Sequence, residues 1–236
     1  MNKEELKIKI DNIIKLTFER LNYVYQNRRE GKVGRKPLKN LPNCHSRLVF
    51  PCYAGNGHAT RISEQELRFA FVETFIDYCD SQNLNLYYSV ETPTKSQKYV
   101  GFASKKPDIA KNGEKGRSAE FDLVIYNEDI NRVCLIEFKA NNAGESDHKK
   151  DFLKLNNEDE GGGDVLRYFI ELLPSYSETK NGTIHSLKEK LKKMDSNKGT
   201  YKAEFRCYAL EGKSQRGKAD NEKTGEDISD KFKHED

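Results

Sequence analysis

Residues 121–140 read FDLVIYNEDINRVCLIEFKA, and this stretch decides how the rest of the chain is read. Two apolar runs flank a polar turn centred on Asp129 and Ile130, the pattern of a β-hairpin. Side chains alternate along a strand, so Glu137 and Lys139 share one face and Phe138 points into the other. With the turn placed there, Tyr126 pairs with Val133 and Asp122 lies opposite Glu137. Cross-strand neighbours have Cβ atoms roughly 5 Å apart. Two carboxylates are thereby brought close enough to hold one divalent cation, with an ammonium beside them. Ionisable groups in strands that otherwise read as core are costly unless they are paired or metal-bound.

Outward from the hairpin, a helix is expected from Ser63 to about Cys79, a strand near 85–91 and a weaker one at 97–103. Helices are expected at about 148–156, 164–173 and 183–194, and a cleanly alternating strand at 201–210. Residues 3–29 place Leu6, Ile10, Ile13, Ile14, Leu16, Leu21 and Val24 at helical spacing. This amphipathic helix must pack on the main domain or on a partner. Residues 30–62 are rich in Gly and Pro and read as loop, with a short strand at Leu48–Phe50. From Glu211 onward the composition, six basic and eight acidic residues, favours a loosely attached charged tail. The domain reading is therefore an amino-terminal helix and basic loop over 1–59, a main domain over 60–210 and a tail over 211–236.

Asp122 followed by Glu137-Phe138-Lys139 resembles the signature of the PD-(D/E)xK nucleases, the restriction-endonuclease-like superfamily. Phe121 stands where the family's first motif has proline. The carboxylate does the chemistry, and the residue before it only shapes the chain. The motif is short, and its hairpin context supplies the specificity. The resemblance covers about residues 60–210 and implies an α/β fold with an α-β-β-β-α-β core: a mixed central sheet flanked by helices, with the amino-terminal helix added.

It also implies a nuclease that hydrolyses phosphodiester bonds with Mg²⁺, for which Mn²⁺ substitutes, acting on nucleic acid and foremost on DNA in restriction, phage defence or repair. Asp122 and Glu137 would hold the ion, with the main-chain carbonyl of Phe138 as a further ligand. Lys139 would sit by the attacking water, orienting it or stabilising the pentacovalent charge. A depressed pKa would suit it to a base role instead. Many members carry an acid on the helix before the sheet, and Glu66 is the candidate. Ser63 and Glu66 also match a capping box, which needs no metal, and Glu73 lies two turns further along the same face. The alternative function is a nuclease-fold subunit that binds nucleic acid or protein without cutting.

Arg117, just upstream of the hairpin, is placed to clamp a substrate phosphate. Lys150 and Lys154, one turn apart, could track a backbone. The segment Arg28–Lys39 has six basic residues and one acid and supplies Arg35 and Lys36 to a phosphate-contacting arm. Arg117 and the basic segment read equally as solvated loop cations, and Lys150 and Lys154 more readily as a solvated helix face. Glu91 closes a strand and could point at the same cleft, but reads first as an exposed strand-end acid.

Net charge is only +3, too small to diagnose a nucleic-acid binder by itself. No apolar run approaches about 18 residues, so no membrane span is expected. The amino terminus lacks a signal peptide's hydrophobic segment, which reads as a cytoplasmic protein. Five scattered cysteines without a CxxC pair read as reduced thiols. Cys44, His45, Cys52 and His58 lack the two-residue gaps of common zinc sites. A homodimer, or a partner protein held through the amino-terminal helix, is the expected assembly.

Overall fold

The computed structural model describes residues 1–26, 46, 48–51, 61–103, 106–111, 113–195, 202–214 and 225–232. The fold is mixed α/β. A six-stranded sheet of order β1-β4-β5-β6-β7-β8 is flanked by helices on both faces, and a separate two-stranded sheet joins β2 to β3. In chain order the elements are α1 (Lys3–Gln26), α2 (Glu64–Gln82), β1 (Tyr87–Pro93), β2 (Tyr99–Val100), β3 (Asp108–Ile109), β4 (Glu120–Tyr126), β5 (Arg132–Ala140), α3 (Glu145–Leu155), β6 (Leu166–Leu173), α4 (Thr183–Asp195), β7 (Glu204–Ala209) and β8 (Glu226–Asp227). β1, β4 and β5 form an antiparallel meander, and β5, β6 and β7 run parallel. Parallel neighbours need crossovers, and α3 and α4 provide them.

Alternation along the strands builds two apolar layers. Leu123, Ile125, Ile136 and Phe138 face α1 and α2. Val124, Leu135 and Phe169 face Phe152 and Leu155 of α3. A third cluster joins Ile184 and Leu187 of α4 to β7.

The hairpin carries a bulge between Ile125 and Tyr126, so Tyr126 pairs with Arg132 and not with the expected Val133. Ile130 takes a left-handed φ of 59° in the turn. The bulge absorbs one residue of β5, and the ladder then runs Ile125–Cys134, Leu123–Ile136. That register carries Asp122 towards Glu137, as expected.

Residues 164–173, expected as a helix, contain the strand β6, in which every residue is buried. A parallel strand covered on both faces has a continuous apolar run, and periodicity alone does not separate such a run from a buried helix. The strand expected at 97–103 shrinks to Tyr99–Val100 in the small sheet.

Helix α1 packs inside the chain: Leu6, Ile10, Ile13, Ile14, Phe18 and Leu21 are buried, and Phe18 stacks on Tyr208 of β7 with centroids 4.8 Å apart. Its apolar stripe is therefore used within the fold, which removes the reason for assigning it to a partner. The tail also differs from expectation over residues 225–232. β8 pairs with β7, a 3₁₀ turn follows at Ser229–Phe232, and Ile228 is buried in the α4 cluster. A short apolar anchor within a charged stretch is enough to hold it. Among the described residues no helix is long and apolar enough to cross a membrane.

Candidate active site

The hairpin presents its charges at the ends of β4 and β5, where α2 and α3 close over them. Phe138 is anchored by its ring against Phe71 of α2, 5.5 Å between centroids. Its flanking residues Glu137 and Lys139 therefore turn to the α3 side. The Asp122 carboxylate bends back to the hairpin: Oδ2 accepts the main-chain N–H of Phe138 at 2.8 Å, and Oδ1 accepts from Arg68 Nη2 at 3.0 Å. Asp122 is thus fixed to the middle residue of the Glu137-Phe138-Lys139 segment itself.

Helix α3 contributes Asp151 and Lys154, one turn apart and both buried. Lys154 Nζ lies 2.6 Å from Glu137 Oε1 and 3.0 Å from Asp151 Oδ1, and donates to the Glu120 carbonyl at 2.7 Å. Lys139 Nζ lies 2.8 Å from Asp151 Oδ2 and 3.4 Å from Glu64 Oε1, and donates to the Phe138 carbonyl at 3.1 Å. Asp151 therefore bridges the two ammonium groups. Helix α2 contributes Glu64 and, one turn later, Arg68, which also pairs with Glu91.

Several expectations change here. Glu66 does not face this cluster: its carboxylate accepts from the Ser63 main-chain N–H at 2.7 Å and from the Ser63 hydroxyl, and pairs with Arg61 at 2.8 Å. It is the capping residue, and Glu64, two positions earlier, turns to Lys139. Glu73 is taken by Arg20 and Ser46 on the α1 side. Lys154 is a buried partner of Glu137 and so cannot track a nucleic-acid backbone from a solvated face. Lys150 is half-buried, 3.6 Å from Asp147. Arg117 is exposed and bridges to Tyr99 outside the cluster. The Phe138 carbonyl, expected as a metal ligand, is engaged by Lys139. Arg35, Lys36 and the Cys44, His45, Cys52 and His58 set lie outside the described residues. Cys79, Cys134 and Cys207 are free and buried, as expected, and burial pushes the Cys79 thiol up to about 11.

Burial pushes the Glu137 carboxyl well above the ordinary carboxylate range. Lys154 offsets this only in part, and Asp151 and Asp122 add to it. Burial also raises Glu64. Asp151 would rise for the same reason, but Lys154 and Lys139 hold it below its usual value. For Lys139 burial pulls downward and is outweighed by Asp151, Glu64 and Asp122, so the ammonium sits above its ordinary value. A base role for Lys139 required the opposite shift. Its contacts favour the ammonium form.

Among the described residues no three His, Cys, Asp or Glu side chains stand grouped to hold a metal ion. Each acid leans on a nitrogen: Glu137 on Lys154, Asp122 on Arg68, Glu64 on Lys139. The donor chemistry nonetheless suits a hard cation. When all are ionised, the five carboxylates Glu64, Glu91, Asp122, Glu137 and Asp151 exceed the three cations Arg68, Lys139 and Lys154 by two charges. A divalent ion would close that balance once Lys154 releases Glu137. The side chains of Glu64 and Asp122 are 38% and 15% exposed, and they form the solvent side of the cluster. Comparison of the chain with family models, with curated proteins and with solved structures gives no match in any of the three.

Proposed function

We infer that the chain is a divalent-metal-dependent nuclease, hydrolysing phosphodiester bonds of nucleic acid and foremost of DNA, on a core of the restriction-endonuclease-like kind. The observation that carries this reading is the Asp122 carboxylate bonded to the main chain of Glu137-Phe138-Lys139, with the charged Lys139 alongside. The elements of the main sheet and its helices, α2, β1, β4, β5, α3, β6, support it: with the small β2–β3 pair inserted after β1, they follow the α-β-β-β-α-β succession of that superfamily.

Asp122, Glu137 and Glu64 are the residues that would hold Mg²⁺ or Mn²⁺. Such an ion, when bound, lowers the pKa of a water and neutralises phosphate charge. Lys139, held as an ammonium, is suited to orient the attacking water and to stabilise the negative charge that grows on the phosphorus oxygens. Asp151 positions Lys139 through their 2.8 Å contact. Arg68 fixes the Asp122 carboxylate, and Phe138, packed on α2, keeps Glu137 and Lys139 on their shared face.

One feature favours a second reading. Lys154 seated 2.6 Å from Glu137 suits a nuclease fold whose centre is closed by its own lysine and which binds without cutting. The two part in one experiment. The protein is incubated with supercoiled, linear and single-stranded DNA and with RNA, in Mg²⁺, Mn²⁺ or EDTA, beside Glu137→Ala and Lys139→Ala. Cleavage that needs metal and disappears in both variants is expected. Tight binding without cleavage in any metal would replace the first reading with the second.

A further inference from the structure

Between β1 and β4 the chain leaves the sheet at Pro93 and returns at its partner Glu120. The described residues 94–103, 106–111 and 113–119 form a flap rooted two residues from Asp122. The sequence from 94 to 119 has seven Lys and Arg residues against two acids. Its root is firmly held. The fully buried Glu160 carboxylate accepts the main-chain N–H groups of Lys95 and Ser96, each at 2.8 Å, and the Tyr99 hydroxyl at 3.0 Å. Gly116 runs so close to residues 97–98 that a Cβ there would collide with the Gln97 carbonyl. The two arms of the flap thus stay in contact.

Between the arms lies a groove of about 360 Å³, lined by Tyr99, Gly101, Phe102, Lys115, Arg117 and Ser118 among others. Phe102 is half-buried, its ring tilted 58° against Tyr99 at 5.3 Å. Lys115 and Arg117 are exposed at its margin. Lys98, on the same flap, is held by Asp159 at 2.9 Å. Among the described residues no carboxylate pairs with Lys115 or Arg117. The groove thus combines a half-buried aromatic ring with two exposed cations that pair with no carboxylate among the described residues.

We propose that this groove binds one unstacked nucleotide of a single-stranded nucleic acid, with its base against Phe102 and its phosphate on Arg117 and Lys115. Aromatic side chains stack on any base but need its face free, and a duplex hides that face between neighbouring pairs. Cations beside the ring supply the sequence-independent hold on the backbone. The proposal rests on the nuclease reading only for its purpose. Arg117 is five residues before Asp122, at most about 17 Å of extended chain, so a strand held here passes within a few nucleotides of the cluster.

The test uses the wild-type chain in EDTA, where cleavage cannot intervene, with a short fluorescein-labelled oligothymidylate, its abasic counterpart and a duplex, read by anisotropy. Phe102→Ala should weaken binding of the oligothymidylate roughly ten- to a hundredfold and leave the abasic strand unchanged, and Phe102→Tyr should restore it. Arg117→Ala should weaken both strands and flatten the salt dependence by about one phosphate contact. The proposal is overturned if Phe102→Ala changes neither affinity or both alike, or if the duplex binds as tightly as the single strand. Intact strand binding without cleavage in any metal sinks the nuclease reading alone. Cleavage with strand binding indifferent to Phe102 sinks this one alone.

Discussion

Two buried cationic sites lie on opposite faces of the sheet and are built differently. On the α1 side Arg20 is 1% exposed, but its partners Glu73 and Asp77, at 3.1 and 2.5 Å, keep about a third of their surface in water. The acids keep part of their hydration, so the arrangement joins α1 to α2 at a smaller desolvation cost than a pair buried on both sides. On the α3 side both signs are buried: Glu137 is 1% exposed, Asp151 7% and Lys154 8%. Desolvation there falls on every member, and Glu137 is left above its ordinary pKa. Burial of both signs is expensive compared with an apolar core of the same shape. On the nuclease reading proposed above, that cost is what keeps Glu137 and Lys139 beside Asp122.

The largest test of this contrast is catalytic. Glu137→Ala and Lys139→Ala should each lower cleavage by at least about 10²-fold, whereas Arg20→Met should lower the melting temperature and leave the turnover of the folded fraction unchanged. Next comes stability. Lys154→Met leaves Glu137 and Asp151 without their shared cation and should cost about 3–5 kcal/mol in EDTA. Mn²⁺ should recover much of that loss, as seen in a thermal shift. Arg20→Met should also melt lower and gain nothing from Mn²⁺. Equal recovery in both variants would erase the distinction between the two sites.

Titration is expected to give a smaller effect. The raised Glu137 pKa means that its proton must leave before a metal binds. Mn²⁺ affinity, measured calorimetrically, should therefore rise with pH from the ordinary carboxylate range up to the Glu137 value, by about tenfold per unit (about 1.4 kcal/mol). It should level off above that value. Glu137→Gln should flatten the profile, while Arg20→Met should leave it intact. Smallest is the comparison on α2. Glu66→Ala should cost about 1 kcal/mol through the helix start, and Glu64→Gln should weaken metal binding with little change in melting.

The hairpin was readable in sequence because alternation and turn residues act over a few positions. Asp122, Glu137 and Lys139 were therefore found together, although the bulge at Tyr126 was not. β6 was misread because its neighbours on both faces, distant in sequence, remove the polar alternation that marks a strand. Asp151 and Lys154 lie on a helix whose charges look like an ordinary solvated face, and only tertiary packing buries them. Glu64 and Arg68 did leave a signal. With Phe71 and Phe75 they occupy positions 64, 68, 71 and 75, so two charges extend the buried stripe of α2. Glu66 is the more conspicuous acid in the sequence because it completes a recognisable start signal for the helix.

The borders of the six-stranded sheet are unequal. At the β7 side the short strand β8 and the Ser229 hydroxyl cover Cys207–Ala209, and the remaining stretch carries the mutually paired Glu204 and Arg206. At the other side no described strand covers β1, and Tyr87, Tyr88 and Val90 are exposed along it. Strand-to-strand growth needs two receptive rims, and here one is blunted. Were two copies to meet through the sheet, the β1 rims would do so about a two-fold axis, and the contact would have no second rim from which to continue.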